Sequence, residues 1–157
     1  GESVMDLLTL TRNQYVWLGL DAPDKGQAIE QLLDKLLREG ALPGDARAEL
    51  LEAVMARERR LSTGLECGIA IPHGTTSRVE TEVAALGVFP RGVSFESVCD
   101  DGATRIVILL ITPLRKRHRH VTNLAAIAKQ LLRPEVRAAL LAARDRDEAV
   151  AAIRAAT

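Results

Sequence analysis

The sequence predicts an α/β protein: a single domain, residues 1–157, in which a central mixed sheet is flanked by helices on both sides. Apolar residues recur at helical spacing in the first and last thirds of the chain, whereas short runs rich in Val and Ile fill the middle. A chain of 157 residues, 47% hydrophobic and 27% charged, suits one domain with its own core. This composition excludes extended disorder and a disulfide-stapled miniprotein.

One strand and one helix are predicted first. Alternating apolar residues predict a strand over Tyr15 to Leu20. Asp24 and Gln27 have the spacing of a helix capping box, and Gly40 is a typical residue just beyond a helix end. The apolar stripe between them consists of Ala28, Ile29, Leu32, Leu33, Leu36 and Leu37. A helix with one buried face is therefore expected here.

A second helix and the remaining strands follow. We expect Asp45 to cap a helix that ends between Arg57 and Arg60, with Leu50, Leu51, Val54 and Met55 facing inward. The periodicity then changes, and the predicted strands are Cys67 to Ile71, Val83 to Phe89 and Arg105 to Thr112. Asp100-Asp101-Gly102 predicts a tight connection between the last two strands.

Helical periodicity returns in the last third of the chain. Its apolar positions are Val121, Leu124, Ala125, Ile127, Ala128, Leu131 and Leu132. Pro134 breaks this helix, and a further helix is expected from Glu135 to Ala143. Asp145 and Glu148 repeat the capping-box spacing and predict a final helix through Ile153.

Charge and composition argue against nucleic acid or a membrane as the partner. The 21 basic and 21 acidic residues cancel, although residues 1–56 carry 5 basic and 10 acidic side chains. Only Tyr15, Trp17, Phe89 and Phe95 are aromatic, which is few for stacking on bases. The longest apolar run, Ile106 to Ile111, is far shorter than the ~20 residues of a membrane-spanning helix.

The compartment is expected to be the reduced cytoplasm. Glu2 and Asp6 stand where a signal peptide would carry positive charge, and no long apolar segment follows them. Two cysteines, Cys67 and Cys99, do not make a disulfide framework.

The most informative histidine is His73, which follows an apolar strand in the sequence Ile71-Pro72-His73-Gly74. Pro72 fixes its own φ, and Gly74 permits a tight backbone path, so the imidazole is expected at a rigid, open corner. One ring nitrogen can then be oriented by a backbone hydrogen bond while the other remains available for chemistry. By itself, Pro-His-Gly is also compatible with a structural histidine beside a turn.

The residues around this histidine favour chemistry. Arg57-Glu58 comes first, Thr63-Gly64 follows after a short spacer, and Gly68 to Gly74 reads Gly-Ile-Ala-Ile-Pro-His-Gly. This pattern resembles the enzyme IIA domain of the fructose, mannitol and nitrogen-regulatory branch of the bacterial sugar phosphotransferase system. The resemblance continues through Asp101-Gly102, the strand before Pro113, and a helix that begins at His120, so it covers nearly the whole chain.

The resemblance implies a phosphoryl relay. His73 would accept a phosphoryl group from the histidine of an HPr-like phosphocarrier and pass it to a cysteine of a IIB domain. Arg57 matches the active-site arginine of the family, whose planar guanidinium suits phosphoryl oxygens. His120 matches the second histidine of the family, which lies against the first. Ser62, Thr63 and Gly74 are expected to contact the phosphoryl group as substrate-binding residues.

Two functions remain open at this level. The chain is either a phosphocarrier in sugar transport or a regulatory module whose phosphorylation controls a transporter or kinase, and it is either free-standing or cut from a larger protein. We expect no cofactor. We also expect no metal ion, because no third ligand with recognisable spacing accompanies His73 and His120.

Three features depart from the family pattern or add to it. Leu61 and Cys67 replace the Gly and Asn that are common in relatives. Cys67 is expected to fill space beside a strand, with a redox-sensitive thiol as the alternative. The basic segment, Arg115 to His120, is expected either to be a solvated charge run or to border the docking face of a partner. His118, within it, matches no family role.

Overall fold

The computed structural model describes residues 5–96 and 103–156 and contains one mixed sheet between two layers of helices. Within these residues the strands are β1 (Val16–Trp17), β2 (Gly64–Leu65), β3 (Ile69–Ala70), β4 (His73–Thr76), β5 (Val83–Val93) and β6 (Thr104–Pro113). The helices are α1 (Leu7–Leu10), α2 (Lys25–Arg38), α3 (Arg47–Arg60), α4 (His120–Leu131), α5 (Pro134–Ala142) and α6 (Arg146–Arg154). The predicted α/β fold is confirmed.

Strand order explains why the sheet is mixed. The order is β1-β5-β6-β3-β2, and β4 also pairs with β6 beyond the end of β3. β3 and β4 run parallel to β6, as β1 does to β5, whereas β5 and β6 are antiparallel. The central strand β6 is buried on both faces, which accounts for its nearly continuous run of Val, Ile and Leu.

Alternate residues of β6 enter two separate cores. Val107, Leu109 and Ile111 pack in the layer formed by α2 and α3. Ile106, Ile108 and Leu110 pack on the opposite face, under α1, α4, α5 and α6. This two-residue period places helices on both sides of the sheet, as predicted.

Two of the three predicted helix caps are confirmed. The carboxylate of Asp24 accepts a hydrogen bond from Gln27 N at 2.8 Å, and that of Asp145 accepts one from Glu148 N at 2.9 Å. The prediction that Asp45 caps the next helix is wrong. Asp45 lies in a 3-10 turn, Gly44–Ala46, that precedes α3, and its carboxylate pairs with Arg78 at 2.6 Å.

Strand bounds differ from the predicted ones at both edges of the sheet. The strand predicted over Tyr15 to Leu20 is reduced to β1, and α1, which Asp6 caps, was not predicted. The strand predicted over Cys67 to Ile71 begins only at Ile69, because residues 66–68 form a 3-10 turn. The connection predicted at Asp100-Asp101-Gly102 lies outside the described residues.

His73 follows a short interruption between two strands that both pair with β6, and it does not lie at the end of the sheet. The chain passes through Pro72, which donates no hydrogen bond, although its carbonyl accepts one from Leu110 N at 3.0 Å. Pairing with β6 then resumes, with His73 opposite Leu110. The expected open corner is therefore wrong: His73 is the first residue of β4 and only 8% exposed.

Gly74 allows α3 to lie directly on β4. A Cβ atom at position 74 would stand 3.1 Å from Val54 Cγ2 and 3.3 Å from Val54 N. A larger residue would push α3 away from the sheet. Since Arg57 follows Val54 by one turn, this close approach also sets the distance between Arg57 and His73.

The lengths of the described helices can be compared with the length that crosses a membrane. The longest helices, α2 and α3, have 14 residues each. Across residues 5–96 and 103–156, no helix combines the length and the apolar character needed to cross a membrane.

The basic segment forms a 3-10 helix, Leu114–Arg119, that leads directly into α4. Arg115 pairs with Glu80 at 2.8 Å, and Arg119 lies 3.5 Å from the carboxylate of Glu82, which is 2% exposed. Within the described part of the chain, Lys116 and Arg117 have no ion pair. Two of its four arginine and lysine charges are therefore paired with carboxylates, Arg115 at the exposed surface and Arg119 at a buried carboxylate.

We expect Arg119 and Arg117 to differ in their contribution to stability. Arg119→Met leaves the buried Glu82 carboxylate with one cationic partner fewer, so the free energy of unfolding should fall by about 1–3 kcal/mol. Arg117→Met, the matched control in the same segment, should change it by less than about 0.5 kcal/mol. Urea denaturation measures both. Equal effects would show that the Arg119 pair adds nothing to stability.

Candidate active site

Three side chains from different elements converge at the start of β4. His73 comes from the sheet, Arg57 from the last turn of α3, and His120 from the first turn of α4. The ring centroids of the two histidines are 4.4 Å apart, with the ring planes tilted by 59°. The structure thus brings together the three residues that the sequence singled out, of which the first and last, Arg57 and His120, are 63 residues apart in the chain.

Two clefts flank His73, and both are also lined by Arg57. The apolar cleft, about 370 Å³, is formed by Leu65, Ile71, Val121, Leu124, Ala125 and Ala128, with Ser62 and Thr63 at its polar side. The basic cleft, about 340 Å³, adds Arg60, Gly74 and His120. Among the described residues, no acidic side chain lines either cleft. Their electrostatic character suits an anion.

The hydrogen bond of His73 identifies its tautomer. Nδ1 lies 2.7 Å from the carbonyl oxygen of Ile71. A carbonyl only accepts, so Nδ1 of the neutral ring carries the proton and donates it. Nε2 is then unprotonated, and its lone pair is available to a nucleophilic reaction.

Both imidazoles are held in the neutral form. Burial lowers the pKa of His73; its hydrogen bond to Ile71 opposes this, and the Arg57 charge adds to it. Burial, followed by His73 and Arg57, lowers the pKa of His120 to about 4. At neutral pH His73 therefore presents a nucleophilic nitrogen rather than an imidazolium.

Arg57 is oriented by the turn that follows α3. Its Nη1 donates a hydrogen bond to the carbonyl oxygen of Leu61 at 2.6 Å. The guanidinium has five N–H donors, so the remaining ones can serve an anion in either cleft. Arg60, one turn further along the helix surface, lines the basic cleft and was not predicted from the sequence.

Ser62 and Thr63 lie at the site, but their donors are engaged elsewhere. The hydroxyl of Ser62 donates to the carbonyl of Phe95 and accepts from Gly64 N. The hydroxyl of Thr63 donates to the carboxylate of Glu58 at 2.6 Å, and its backbone N–H donates to the same carboxylate at 3.1 Å. Direct contact of Ser62 and Thr63 with a phosphoryl group remains a prediction, and it requires these bonds to break.

Glu58 is the residue of the site that sequence reasoning left without a role. It is 2% exposed and accepts three hydrogen bonds from Thr63 and Lys25. A signal was present in the sequence, because Glu58 follows the inward-facing Leu50 and Val54 by eight and four residues. A carboxylate at such a position is expected to face the interior.

The expectation that Cys67 fills space beside a strand is wrong. The residue is exposed and lies in a 3-10 turn with φ +64°. This is the left-handed region, which Asn adopts more readily than Cys. His118 lines neither cleft. Among the described residues, no group of three or more His, Cys, Asp and Glu side chains is arranged to hold a metal ion.

Comparison with known proteins places this chain in a family. Residues 9–156 match the model of the phosphoenolpyruvate-dependent sugar phosphotransferase system, EIIA 2. The PTS system fructose-specific EIIA component of Haloferax volcanii is 31% identical over 140 residues, which are 89% of this chain and 89% of that protein. The chain spans between 22% and 90% of the length of the first four curated relatives it matches.

Solved structures agree with this assignment. The nitrogen regulatory protein IIA-Ntr from Neisseria meningitidis is 26% identical, with a TM-score of 0.79 over 92% of this chain and 96% of that chain. The enzyme IIA of the mannitol system of Escherichia coli, in complex with its phosphorylated IIB, is 25% identical, with a TM-score of 0.73 over 90% of this chain and 94% of that chain.

The fold and the comparisons define a phosphotransfer component of the sugar phosphotransferase system. The chain belongs to its EIIA type 2 family, which includes fructose and mannitol IIA components and nitrogen regulatory IIA proteins. The resemblance stated from the sequence is confirmed.

The lowered pKa values of His73 and His120 predict that the folded protein loses stability in acid. Below about pH 6.5 the unfolded chain protonates its histidines, whereas His120 in the folded chain stays neutral down to about pH 4. The unfolded state binds more protons in this interval, so the free energy of unfolding should fall as the pH is lowered.

Urea denaturation at several pH values measures this slope. His120→Gln should reduce the loss of stability between pH 6.5 and pH 4, because the titrating group is removed. His118→Gln, which removes an exposed histidine from the neighbouring segment, controls for the loss of an imidazole. An unchanged slope in His120→Gln would contradict the prediction.

Proposed function

We propose that this chain is a phosphohistidine carrier, in which His73 accepts a phosphoryl group from an HPr-like phosphocarrier and passes it to a cysteine of a IIB domain. The observation that carries the proposal is the bond from His73 Nδ1 to the Ile71 carbonyl, which leaves Nε2 free between two clefts. The proposal treats residues 1–157 as one domain acting in the cytoplasm, with neither nucleic acid nor membrane as a partner.

The transfer step needs only groups that are present. The Nε2 lone pair of His73 attacks phosphorus in line as the phosphorus–nitrogen bond of the donor histidine breaks. The bonding electrons return to the nitrogen of the donor, and Nδ1 of His73 keeps its proton on the Ile71 carbonyl. Transfer onward repeats the displacement with a IIB thiolate as the nucleophile. Catalysis then depends on positioning and on charge stabilisation.

Arg57 and His120 are suited to the phosphoryl oxygens. The guanidinium of Arg57 offers several parallel donors to an anion in the clefts it lines. Nδ1 of His120 and Oγ1 of Thr112 are 3.2 Å apart. In this proposal Thr112 donates to Nδ1, so that Nε2 of His120 carries a proton and can donate it to a phosphoryl oxygen.

The apolar cleft is suited to a protein partner. Leu61 and Val121 are 70% and 75% exposed, and Val121 lines the apolar cleft beside His73. Exposed apolar side chains next to a reactive group are typical of a surface that a partner covers transiently. We propose that the carrier and the IIB domain use this surface in turn, as the mannitol IIA and IIB of Escherichia coli form a complex.

A regulatory role is the alternative, and the likeness to the nitrogen regulatory protein of Neisseria meningitidis favours it. In that case the phosphoryl group on His73 adds about two negative charges to a surface that otherwise presents Arg57 and Arg60. Binding of a regulated transporter or kinase would then depend on phosphorylation. Failure of the phosphorylated protein to transfer its phosphoryl group to the cysteine of a purified IIB domain would favour this role.

Phosphorylation of His73 is the first test. Incubation with phosphoenolpyruvate, enzyme I and HPr should add one acid-labile, base-stable phosphoryl group, detected by intact mass, to the wild type and to His120→Ala. His73→Ala should remain unmodified, because it lacks the nucleophilic nitrogen. A labelled His73→Ala protein together with an unlabelled His120→Ala protein would overturn the assignment.

Arg57 is expected to act on the rate. An arginine at a phosphoryl transition state can contribute about 10³-fold, and Lys keeps the charge but not the planar fork, so Arg57→Lys should slow transfer by about 10- to 100-fold. The melting temperature should change little, because the hydrogen bond to Leu61 is exposed. Arg59→Lys, which changes a neighbouring exposed arginine outside both clefts, is the control. Equal rates for both variants would show that Arg57 only contributes a positive charge at the end of α3.

A further inference from the structure

Glu58 occupies a position that stability alone does not favour. Its carboxylate is 2% exposed in the last turn of α3, where the helix dipole favours cations. Its partner Lys25 is 3.5 Å away and is also shared with Glu96 at 3.6 Å. A buried ion pair is often no more stabilising than well-packed apolar residues. The carboxylate therefore calls for an explanation beyond the fold.

A chain of hydrogen bonds connects Glu58 to His73. The carboxylate accepts from the backbone N–H and the hydroxyl of Thr63. The carbonyl of Thr63 accepts from Ile71 N at 3.2 Å. The carbonyl of Ile71 in turn accepts from Nδ1 of His73 at 2.7 Å. Glu58 is thus linked to the reactive imidazole through only two residues.

Ile71 depends on this link because the sheet does not hold it fully. It lies between β3 and β4, outside both strands, and the next residue, Pro72, has no N–H. Its own N–H is bonded to Thr63 rather than to β6. The direction of the Ile71 carbonyl, which selects the tautomer of His73, is therefore set from the side of Thr63.

We propose that Glu58 is a positioning residue for His73: by fixing Thr63 it aims the Ile71 carbonyl at Nδ1 and keeps Nε2 unprotonated and directed at the incoming phosphorus. The inference rests on the proposed function of His73 for its effect on rate. Its effect on the imidazole can be observed without any phosphoryl transfer.

The same turn also fixes Arg57, so nucleophile and guanidinium share one support. Arg57 donates a hydrogen bond to the carbonyl of Leu61, and the adjacent Glu58 accepts one from Thr63, two residues after Leu61. Loosening Thr63 would let both sides of the site shift. Because a displacement of about 1 Å can cost about 100-fold in rate, a modest movement of this turn is sufficient to impair transfer.

The test compares the His73 ring and the phosphorylation rate in matched variants. Glu58→Gln removes the charge, Thr63→Val removes the hydroxyl at nearly constant volume, and Thr63→Ser restores it. Glu82→Gln is the control, because Glu82 is equally buried and paired with an arginine but has no link to Ile71. Long-range ¹H–¹⁵N NMR reports the His73 tautomer, and phosphoramidate serves as a phosphoryl donor that needs no protein partner.

We expect the wild type, Thr63→Ser and Glu82→Gln to show the Nδ1–H tautomer, and Glu82→Gln to react at the wild-type rate. Glu58→Gln and Thr63→Val should show a mixture of tautomers and react at least about tenfold more slowly. If Glu58→Gln does not fold, Thr63→Val tests the same link. Wild-type spectra and rates in both variants would overturn the proposal. A tautomer change in the variants, with no phosphorylation of the wild type, would support the positioning role and overturn the phosphocarrier function instead.

Discussion

The site depends on the hydrogen bond between Nδ1 of His73 and the carbonyl of Ile71. It assigns the proton to one nitrogen and leaves the other as a nucleophile, which free rotation of an exposed ring would not do. The bond exists because the strand is interrupted for two residues, Ile71 and Pro72, so that the carbonyl of Ile71 faces the side chain of His73, the first residue of the next strand. A continuous strand would have used that backbone in its own ladder.

His73 is neutral mainly because it is buried, and it is buried because it lies between the sheet and the helices packed on it. Gly74 lets α3 approach β4 within van der Waals contact on the face of the sheet that carries α2 and α3. The His73 side chain lies on the opposite face, where His120 at the start of α4 packs against its ring. Both rings then lie in a region where a positive charge is disfavoured by desolvation and by Arg57, so their pKa values fall.

Two carboxylates lie near the site, but both are buried and neither lines a cleft. Glu58 is turned inward to Thr63 and Lys25, and Glu82 is buried beside Arg119. Glu58 bonds Thr63, which lines the apolar cleft, while the surfaces of the two clefts keep arginine and neutral histidine side chains. The arrangement attracts an anion without placing negative charge where it would repel a phosphoryl group.

The sequence by itself determined the layers of the fold and the family. Apolar periodicity in α2 and β6, and the caps at Asp24 and Asp145, are local properties that packing confirmed. The order of Arg57, His73 and His120 predicted three side chains that the structure brings together. Predictions from local sequence failed where contacts between distant residues determine the structure. Asp45 pairs with Arg78 instead of capping α3. Pairing with β6 makes His73 part of a strand, where an open corner was expected. The link from Glu58 through Thr63 to Ile71 joins residues that only strand pairing and helix packing bring together, so tertiary structure alone decided it.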